Sequence, residues 1–205
     1  MTDRRTIPHV ELMQLPVLRY TGPMHLAATP ADLDKALADI HHEHVVGLDT
    51  ETRPTFHKGQ SHPPALVQIA TSRTVHLFQL AQLDCSRALT EVLGNAHLVK
   101  AGIALGRDLK ELGVMFPIQP ANVVELDAIA KRNGFEQTGV RNLAGILLGG
   151  RITKGAQTSN WAAPKLTDAQ LRYAATDAWV CRKLYLRFDS LGLLKSPATG
   201  ESSPR

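Results

Sequence analysis

The chain has 205 residues, of which 43% are hydrophobic and 20% charged, so it can form one ordinary globular domain with a full core. It contains no run of about 18 uncharged apolar residues and no secretory leader, which excludes a transmembrane or secreted protein and leads us to expect a cytoplasmic one. A net charge of +4 is compatible with a polyanionic partner without requiring one. Cys85 and Cys181 are too few for a disulfide framework.

The two ends of the chain differ in composition from its centre. Residues 1–28 show no hydrophobic period, and residues 195–205 are rich in Ser and Pro. We therefore predict an N-terminal extension at 1–28, one domain at 29–194 and a disordered tail at 195–205, with both ends fraying. The domain opens with Thr29 followed by Pro30, which is typical of a helix N-terminus.

Strand patterns follow this helix. They occupy 43–52, 64–71 and 74–80, and only Ser72 and Arg73 separate the last two, which predicts a tight turn between antiparallel strands. Further along, helical and strand-like segments alternate, as is typical of parallel strands joined by crossover helices. The sequence therefore predicts an α/β domain with a mixed five-stranded sheet flanked by helices.

Two acids share one face of the first predicted strand. Asp49 and Glu51 are two residues apart, so their side chains project to the same side. Two acids on one side of a core strand repel each other. The alternative explanation of this pair, taken alone, is a strand that runs out into a polar loop.

The last predicted helix carries a further acid inside its apolar stripe. This helix begins at a capping box of Thr167 and Gln170, and Tyr173 precedes Asp177 by one helical turn. A carboxylate in an apolar stripe must reach a cleft, pair with a cation or bind a metal ion, because burying an unpaired charge costs several kcal/mol. A salt bridge to a basic residue such as Arg107 or Arg172 is the alternative to a metal site.

A fourth acid, Asp108, lies where a predicted strand leads into a predicted helix. The helix dipole favours an acid there, so capping alone explains it, just as Asp127 is expected to cap the helix that follows it. Carboxylates that converge from distant segments repel one another unless cations neutralise them. Oxygen ligands suit Mg²⁺ or Mn²⁺, whereas zinc prefers His or Cys, and we interpret the HHEH stretch at 41–44 as surface.

Three segments together are similar to the three exonuclease motifs of the ribonuclease D-like DEDDy 3'-5' exonuclease family. They are VVGLDTET at 45–52, LVKAGIALGRDLKELG at 98–113 and SNWAAPKLTDAQLRYAATDAWVCRKLY at 159–185. The likeness spans 45–186, and the middle segment resembles the Werner-helicase exonuclease domain more than bacterial ribonuclease D. The resemblance implies an RNase H-like fold with sheet order 3-2-1-4-5.

The resemblance also implies a function. Two Mg²⁺ or Mn²⁺ ions per site would support hydrolysis of terminal phosphodiester bonds at nucleic acid 3' ends, with release of nucleoside 5'-monophosphates. The residues implied as metal ligands are Asp49, Glu51, Asp108 and Asp177, with Asp108 acting on the second ion through water. Tyr173 would orient the attacking water.

Two basic segments, 52–64 and 150–161, suit loops that grip a nucleic acid backbone. The candidates for phosphate contacts are Arg53, Lys58, Arg151 and Lys154, each with solvated surface as its alternative. Trp161 is a candidate for stacking on a base, with core packing as the alternative.

Other functions fit the same residues. A catalytically silent nucleic-acid-binding module, an RNA-processing activity of the ribonuclease D type, an endonuclease and a phosphatase are the alternatives to the exonuclease. The Werner-like segment favours DNA ends or short single strands as substrates. The sequence leaves the oligomeric state open.

Overall fold

The computed structural model describes residues 4–55 and 62–195. A mixed sheet of six strands lies at its centre, with helices on both faces. The strands are β1 (Met24–Leu26), β2 (Val45–Thr52), β3 (Pro64–Ala70), β4 (Val75–Gln79), β5 (Val99–Gly102) and β6 (Val123–Glu125). The helices are α1 (His9–Gln14), α2 (Pro30–Ile40), α3 (Ser86–Gly94), α4 (Leu105–Met115), α5 (Leu126–Arg132), α6 (Val140–Leu143) and α7 (Asp168–Ser190), and α6 continues into a π-helical turn at Ala144–Leu148. Within the described ranges, no helix has the length and apolar character needed to cross a membrane.

The sheet order is β1-β4-β3-β2-β5-β6. Strands β2, β3 and β4 form an antiparallel meander, and β5 and β6 are added in parallel on the β2 side. Without β1, this is the predicted order 3-2-1-4-5, so the predicted RNase H-like α/β fold is confirmed. The sixth strand, β1, pairs in parallel with β4 and was not predicted, since three residues are too few to show a period.

The residues before α2 are packed onto the domain, so the expectation that they fray is wrong for residues 4–28. Ile7, Leu12 and Tyr20 are buried. The backbone N–H of Tyr20 donates to the hydroxyl of Thr176 on α7 at 3.1 Å. These apolar residues are spaced irregularly, and therefore no single period reveals their burial. The predicted tail lies outside the described residues, except for Lys195.

Two layers of helices enclose the sheet. On one face, α2, α3 and α4 bury leucines such as Leu37, Leu89 and Leu112 against the strands. On the other face, α7 packs alanines such as Ala174 and Ala178 against β3 and β4. Short side chains on α7 allow the long helix to lie close to the sheet. Acids at the carboxyl end of β2 and on α7 therefore meet on this second face.

The helix N-termini predicted for α2 and α7 are confirmed, because Thr29 and Thr167 each form a capping box.

The contact between β2 and α7 is closest at Gly47, where a Cβ atom would stand 1.9 Å from the carbonyl oxygen of Ala178. Only glycine fits this approach. Arg182 of α7 adds a hydrogen bond of 3.1 Å from its Nε to the carbonyl oxygen of Val45. The register of α7 against β2 is thus fixed next to the acids.

Candidate active site

Three carboxylates meet at the carboxyl end of β2. Asp49, Glu51 and Asp177 each offer one oxygen, and these oxygens all lie within 4.8 Å of one another. The first two share a face because they are two residues apart on a strand, and the close packing of α7 at Gly47 brings the third. All three line a cavity of about 200 Å³.

Burial and mutual repulsion make these carboxyls hard to ionise. Burial, followed by the charge of Asp177, raises the pKa of Asp49 well above its usual range. Burial and the neighbouring acids raise the pKa of Glu51 to about 10. Burial likewise raises the pKa of Asp177 to about 7. An ionised cluster therefore requires cations at close range.

Asp177 forms no salt bridge within the described part of the chain. Arg107 pairs with Glu111 instead, and Arg172 donates to the backbone carbonyl of Tyr20 at 3.2 Å. The salt-bridge alternative for Asp177 is therefore wrong for those two arginines. The buried Oδ1 of Asp177 has no hydrogen-bond partner there either. An orphaned carboxylate oxygen beside two other carboxylates fits a bound divalent cation.

Asp108 lies next to this group but is not one of its three members. It belongs to the first turn of α4, and its Oδ2 accepts a hydrogen bond of 2.7 Å from the hydroxyl of Thr50. Thr50 points to the face of β2 opposite Asp49 and Glu51, because side chains alternate along a strand. The charge of Asp108 still contributes to the raised pKa values of those two acids.

Two acids that sequence analysis did not assign to the site hold the start of α4. The backbone N–H of Ala104 donates to Asp127 at 3.2 Å, and that of Leu105 donates to Glu125 at 3.0 Å. Asp127 lies in the first turn of α5, as expected, and it also binds the N-terminus of α4. The pair positions the helix that carries Asp108. The sequence signal that could have indicated this role is the acid-x-acid pattern of Glu125 and Asp127 at the end of β6.

Tyr173 stands between the carboxylates and the core. Its ring lies 6.0 Å from that of Trp161, centroid to centroid, and its side chain lines the same cavity as Asp177. Burial and the adjacent acids raise the pKa of Tyr173 far above its ordinary value, so the phenol stays protonated. Trp161 is 0% exposed and offers no face to a base in this structure. The core-packing alternative therefore applies to Trp161, which supports the tyrosine ring.

The predicted phosphate contacts fall in different environments. Arg53 and Lys154 are exposed, Arg53 directly after the last residue of β2. The Nε of Arg151 donates to the carbonyl oxygen of Leu15 at 3.1 Å, so this side chain holds the N-terminal segment. Lys58 lies outside the described residues.

Known proteins are similar to this chain in sequence. Residues 24–191 match a family model described as 3'-5' exonuclease. The bifunctional 3'-5' exonuclease/ATP-dependent helicase WRN of Mus musculus is 28% identical over 188 residues, covering 87% of this chain and 13% of the mouse protein. A ribonuclease D of Gluconacetobacter diazotrophicus is 29% identical over 197 residues, covering 87% of this chain and 49% of that protein.

Solved structures share the fold. The crystal structure of the Aedes aegypti Nibbler EXO domain aligns with a TM-score of 0.76 over 87% of this chain and 94% of that one, at 21% identity. The chain spans less than half the length of each of the two curated relatives. The family match covers most of the chain, including β2, α4 and α7, which carry the carboxylates. The chain belongs to the 3'-5' exonuclease family.

Proposed function

We propose that this chain is a metal-dependent 3'-5' exonuclease of the DEDDy type, which releases nucleoside 5'-monophosphates from the 3' ends of nucleic acid. The observation that carries the proposal is the meeting of Asp49, Glu51 and Asp177 within 4.8 Å. Burial and mutual repulsion disfavour three ionised acids at this spacing unless cations bind between them. A purely structural role would not need them there.

The donor set supports Mg²⁺ or Mn²⁺. All candidate ligand atoms are carboxylate oxygens, and the buried Oδ1 of Asp177 lacks any other partner among the described residues. Asp49, Glu51 and Asp177 would hold one ion, and Asp49 together with Asp108 would hold a second. Bound ions supply the Lewis acidity that activates water and stabilises negative charge on the phosphoryl group.

The protein's own groups supply the positioning. The neutral hydroxyl of Tyr173 orients the attacking water by hydrogen bonding, and its raised pKa argues against a role as general base. The side chain of Thr50 fixes Asp108 from the other side of β2. The cavity of about 200 Å³ surrounds the terminal phosphodiester and limits the water that reaches it.

The substrate is proposed to be a nucleic acid 3' end, with DNA ends or short single strands as the first to test. The Werner-like segment at 98–113 supports this order. Discrimination between DNA and RNA depends on a contact to the 2'-hydroxyl. Matched single-stranded DNA, single-stranded RNA and recessed duplex ends, each with Mg²⁺ and with Mn²⁺, compare these substrates directly.

The function is tested with a 5'-labelled single strand in Mg²⁺ or Mn²⁺. We expect a ladder that shortens from the 3' end, together with nucleoside 5'-monophosphates. Asp49→Asn should reduce the rate to below about one thousandth, while Asp189→Asn, which changes an exposed acid near the end of α7, should not change it. No cleavage of any of the substrates in either ion would contradict the proposal.

The same experiment separates the alternatives. Binding without product in both ions would indicate a catalytically silent module. Cleavage of a circular strand would indicate an endonuclease, because a circle has no 3' terminus. Release of inorganic phosphate from a 3'-phosphorylated strand would indicate a phosphatase.

A further inference from the structure

A second, larger cavity adjoins the carboxylates. It measures about 630 Å³ and lies between the first turns of α7, the loop before that helix and the residues that precede β1. Tyr173 lines both this cavity and the acidic one, so the two adjoin at that side chain. Ligand-binding cavities commonly measure about 300–1,000 Å³, and this one falls within that range.

The charge of this larger cavity is opposite to that of the acidic one. Among the residues that the structure describes, its charged lining residues are Arg19, Lys165 and Arg172, and none of its lining residues is an acid. Polar groups such as Ser159 and Asn160 complete its wall. None of the three cations takes part in an ion pair within the described ranges. We call this cavity the basic groove.

The position of Arg19 in the basic groove is secured by its two neighbours. The backbone N–H of Leu18 donates to the carbonyl oxygen of Arg151 at 2.9 Å. The backbone N–H of Tyr20 donates to the hydroxyl of Thr176 at 3.1 Å. Arg19 is therefore held against α7 although it precedes the family match, which begins at residue 24.

We propose that the basic groove binds the phosphodiester backbone of the substrate strand on the 5' side of the scissile bond, through Arg19 and Lys165. This rests on the proposed function. A strand whose terminal phosphodiester lies at the carboxylates must leave the acidic cavity, and past Tyr173 it enters a wide space in which every charged lining residue of the described chain is a cation. Arginine and lysine neutralise backbone phosphates, whereas the acidic cavity repels them without bound metal. The N-terminal segment thus forms part of the substrate site.

Binding is measured first, by fluorescence anisotropy of a labelled single strand of about twelve nucleotides in EDTA, as DNA and as RNA. Arg19→Ala with Lys165→Ala should weaken binding of both about 10-fold at low salt. The slope of log K against log salt should fall by about 1.4, because each phosphate contact to a single strand contributes about 0.7. Arg172 is left intact, since it holds the carbonyl of Tyr20.

The control is Lys35→Ala, which removes an exposed cation from α2 on the opposite face of the sheet. It should leave both the affinity and the salt slope unchanged. The control removes one positive charge and the double variant two, so a loss per charge in log K that is the same in both would reduce the effect to net charge and overturn the proposal. Wild-type affinity and slope in the double variant would overturn it as well.

A kinetic comparison separates failure of this proposal from failure of the proposed function. The p-nitrophenyl ester of thymidine 5'-monophosphate contains the reacting phosphodiester but no strand beyond it. In the double variant, the ratio of kcat/KM for the strand to kcat/KM for the ester should fall about 10-fold, through KM for the strand. Equal losses of kcat/KM on the two substrates would place these residues at the reaction centre and overturn the proposal that the basic groove binds the strand.

A wild-type protein that cleaves neither substrate would contradict the proposed exonuclease function. The anisotropy measurement would still decide whether the basic groove binds the strand.

Discussion

Thr50 donates a hydrogen bond of 2.7 Å to Asp108 and so joins β2 to α4 beside the carboxylates. Thr50 stands between Asp49 and Glu51 in the sequence, and alternation along the strand sends its side chain to the other face. Three consecutive residues of β2 therefore serve the site from both sides of the sheet. The strand contributes two acids directly and positions a third through a hydroxyl.

Thr50→Val is expected to lower kcat/KM about 10- to 100-fold. The substitution keeps the shape of the side chain but removes the donor, and hydrogen bonds to charged groups are worth about 1.5–3 kcal/mol. Thr50→Ser retains a hydroxyl and should remain within a few-fold of wild type. The measurement is steady-state hydrolysis of a labelled strand. Equal activity of the valine and serine variants would show that Asp108 needs no such support.

Tyr173→Phe is expected to lower kcat about 100-fold without unfolding the protein, because the ring stays against Trp161 while the hydroxyl that we propose orients the water is lost. Burial and nearby acids raise the pKa of Tyr173, so the phenol does not ionise in the working range. The pH–rate profile of the phenylalanine variant should therefore be lower than that of wild type but have the same shape. A limb in the wild-type profile that vanishes in the variant would instead indicate that the tyrosine acts as a base.

Asp177→Asn is expected to stabilise the metal-free protein while abolishing hydrolysis. Burial raises the pKa of Asp177 to about 7, above the usual carboxyl value. A carboxyl group whose pKa is raised in the folded protein contributes its full stabilisation below its unfolded pKa of about 4. This stabilisation is lost as the pH rises through the folded pKa of about 7. The amide has no such loss, so its advantage in EDTA should grow from about pH 5 to about pH 8 and reach on the order of 2 kcal/mol.

Thermal unfolding in EDTA across this pH range measures that difference. Saturating Mg²⁺ should reduce it, since a cation bound to the wild-type carboxylates stabilises the folded state. An asparagine variant that is less stable than wild type at about pH 8 without metal would mean that ionised Asp177 already has a favourable partner.

Features that depend on residues close together in the chain could be predicted from the sequence. The capping residues Thr29 and Thr167 mark their helices because a cap bonds to a backbone N–H three residues on. The shared face of Asp49 and Glu51 follows from strand alternation alone. The order of the five predicted strands followed from the family resemblance, which their pattern along the chain supports.

Features that depend on contacts between distant residues could not be predicted. Asp127 reaches from the first turn of α5 to the start of α4, and that second contact depends on the position of β6 beside β5. Trp161 has the same sequence signal whether it lies in the core or on a binding surface. Tyr20 is buried only because the N-terminal segment folds back onto α7. No local rule describes such contacts.

Protonation of His76 should destabilise the fold on the sheet face opposite α7. Its Nε2 lies 2.9 Å from Asp39 of α2, and burial lowers the pKa of His76. Burial acts to raise the pKa of Asp39, but hydrogen bonds from His76, Thr71 and Arg73 outweigh it, and the net shift is downward. Both lowered pKa values contribute stability at high pH that is lost on acidification.

The loss due to the histidine should begin as the pH falls below about 6.5, its unfolded value. His76→Gln keeps a donor near Asp39 but cannot titrate, so urea unfolding should show a flatter pH dependence between about pH 6.5 and about pH 5. His97→Gln, at an exposed position, is the matched control and should follow wild type. Parallel pH curves for His76→Gln and wild type would contradict the assignment.

Gly47→Ala should separate the carboxylates by pushing α7 away from β2. The added Cβ would stand 1.9 Å from the carbonyl oxygen of Ala178, which is backbone and cannot rotate aside. Overpacking of this kind costs about 1–3 kcal/mol or more, and the displaced helix carries Asp177 away from Asp49. Gly139→Ala is the control, because its Cβ would meet no atom of the described residues within 4 Å. We expect the first variant to lose stability in urea unfolding and metal-dependent stabilisation together, and the second to lose neither. A Gly47→Ala protein that keeps wild-type stabilisation by Mn²⁺ would show that the site does not depend on this close packing.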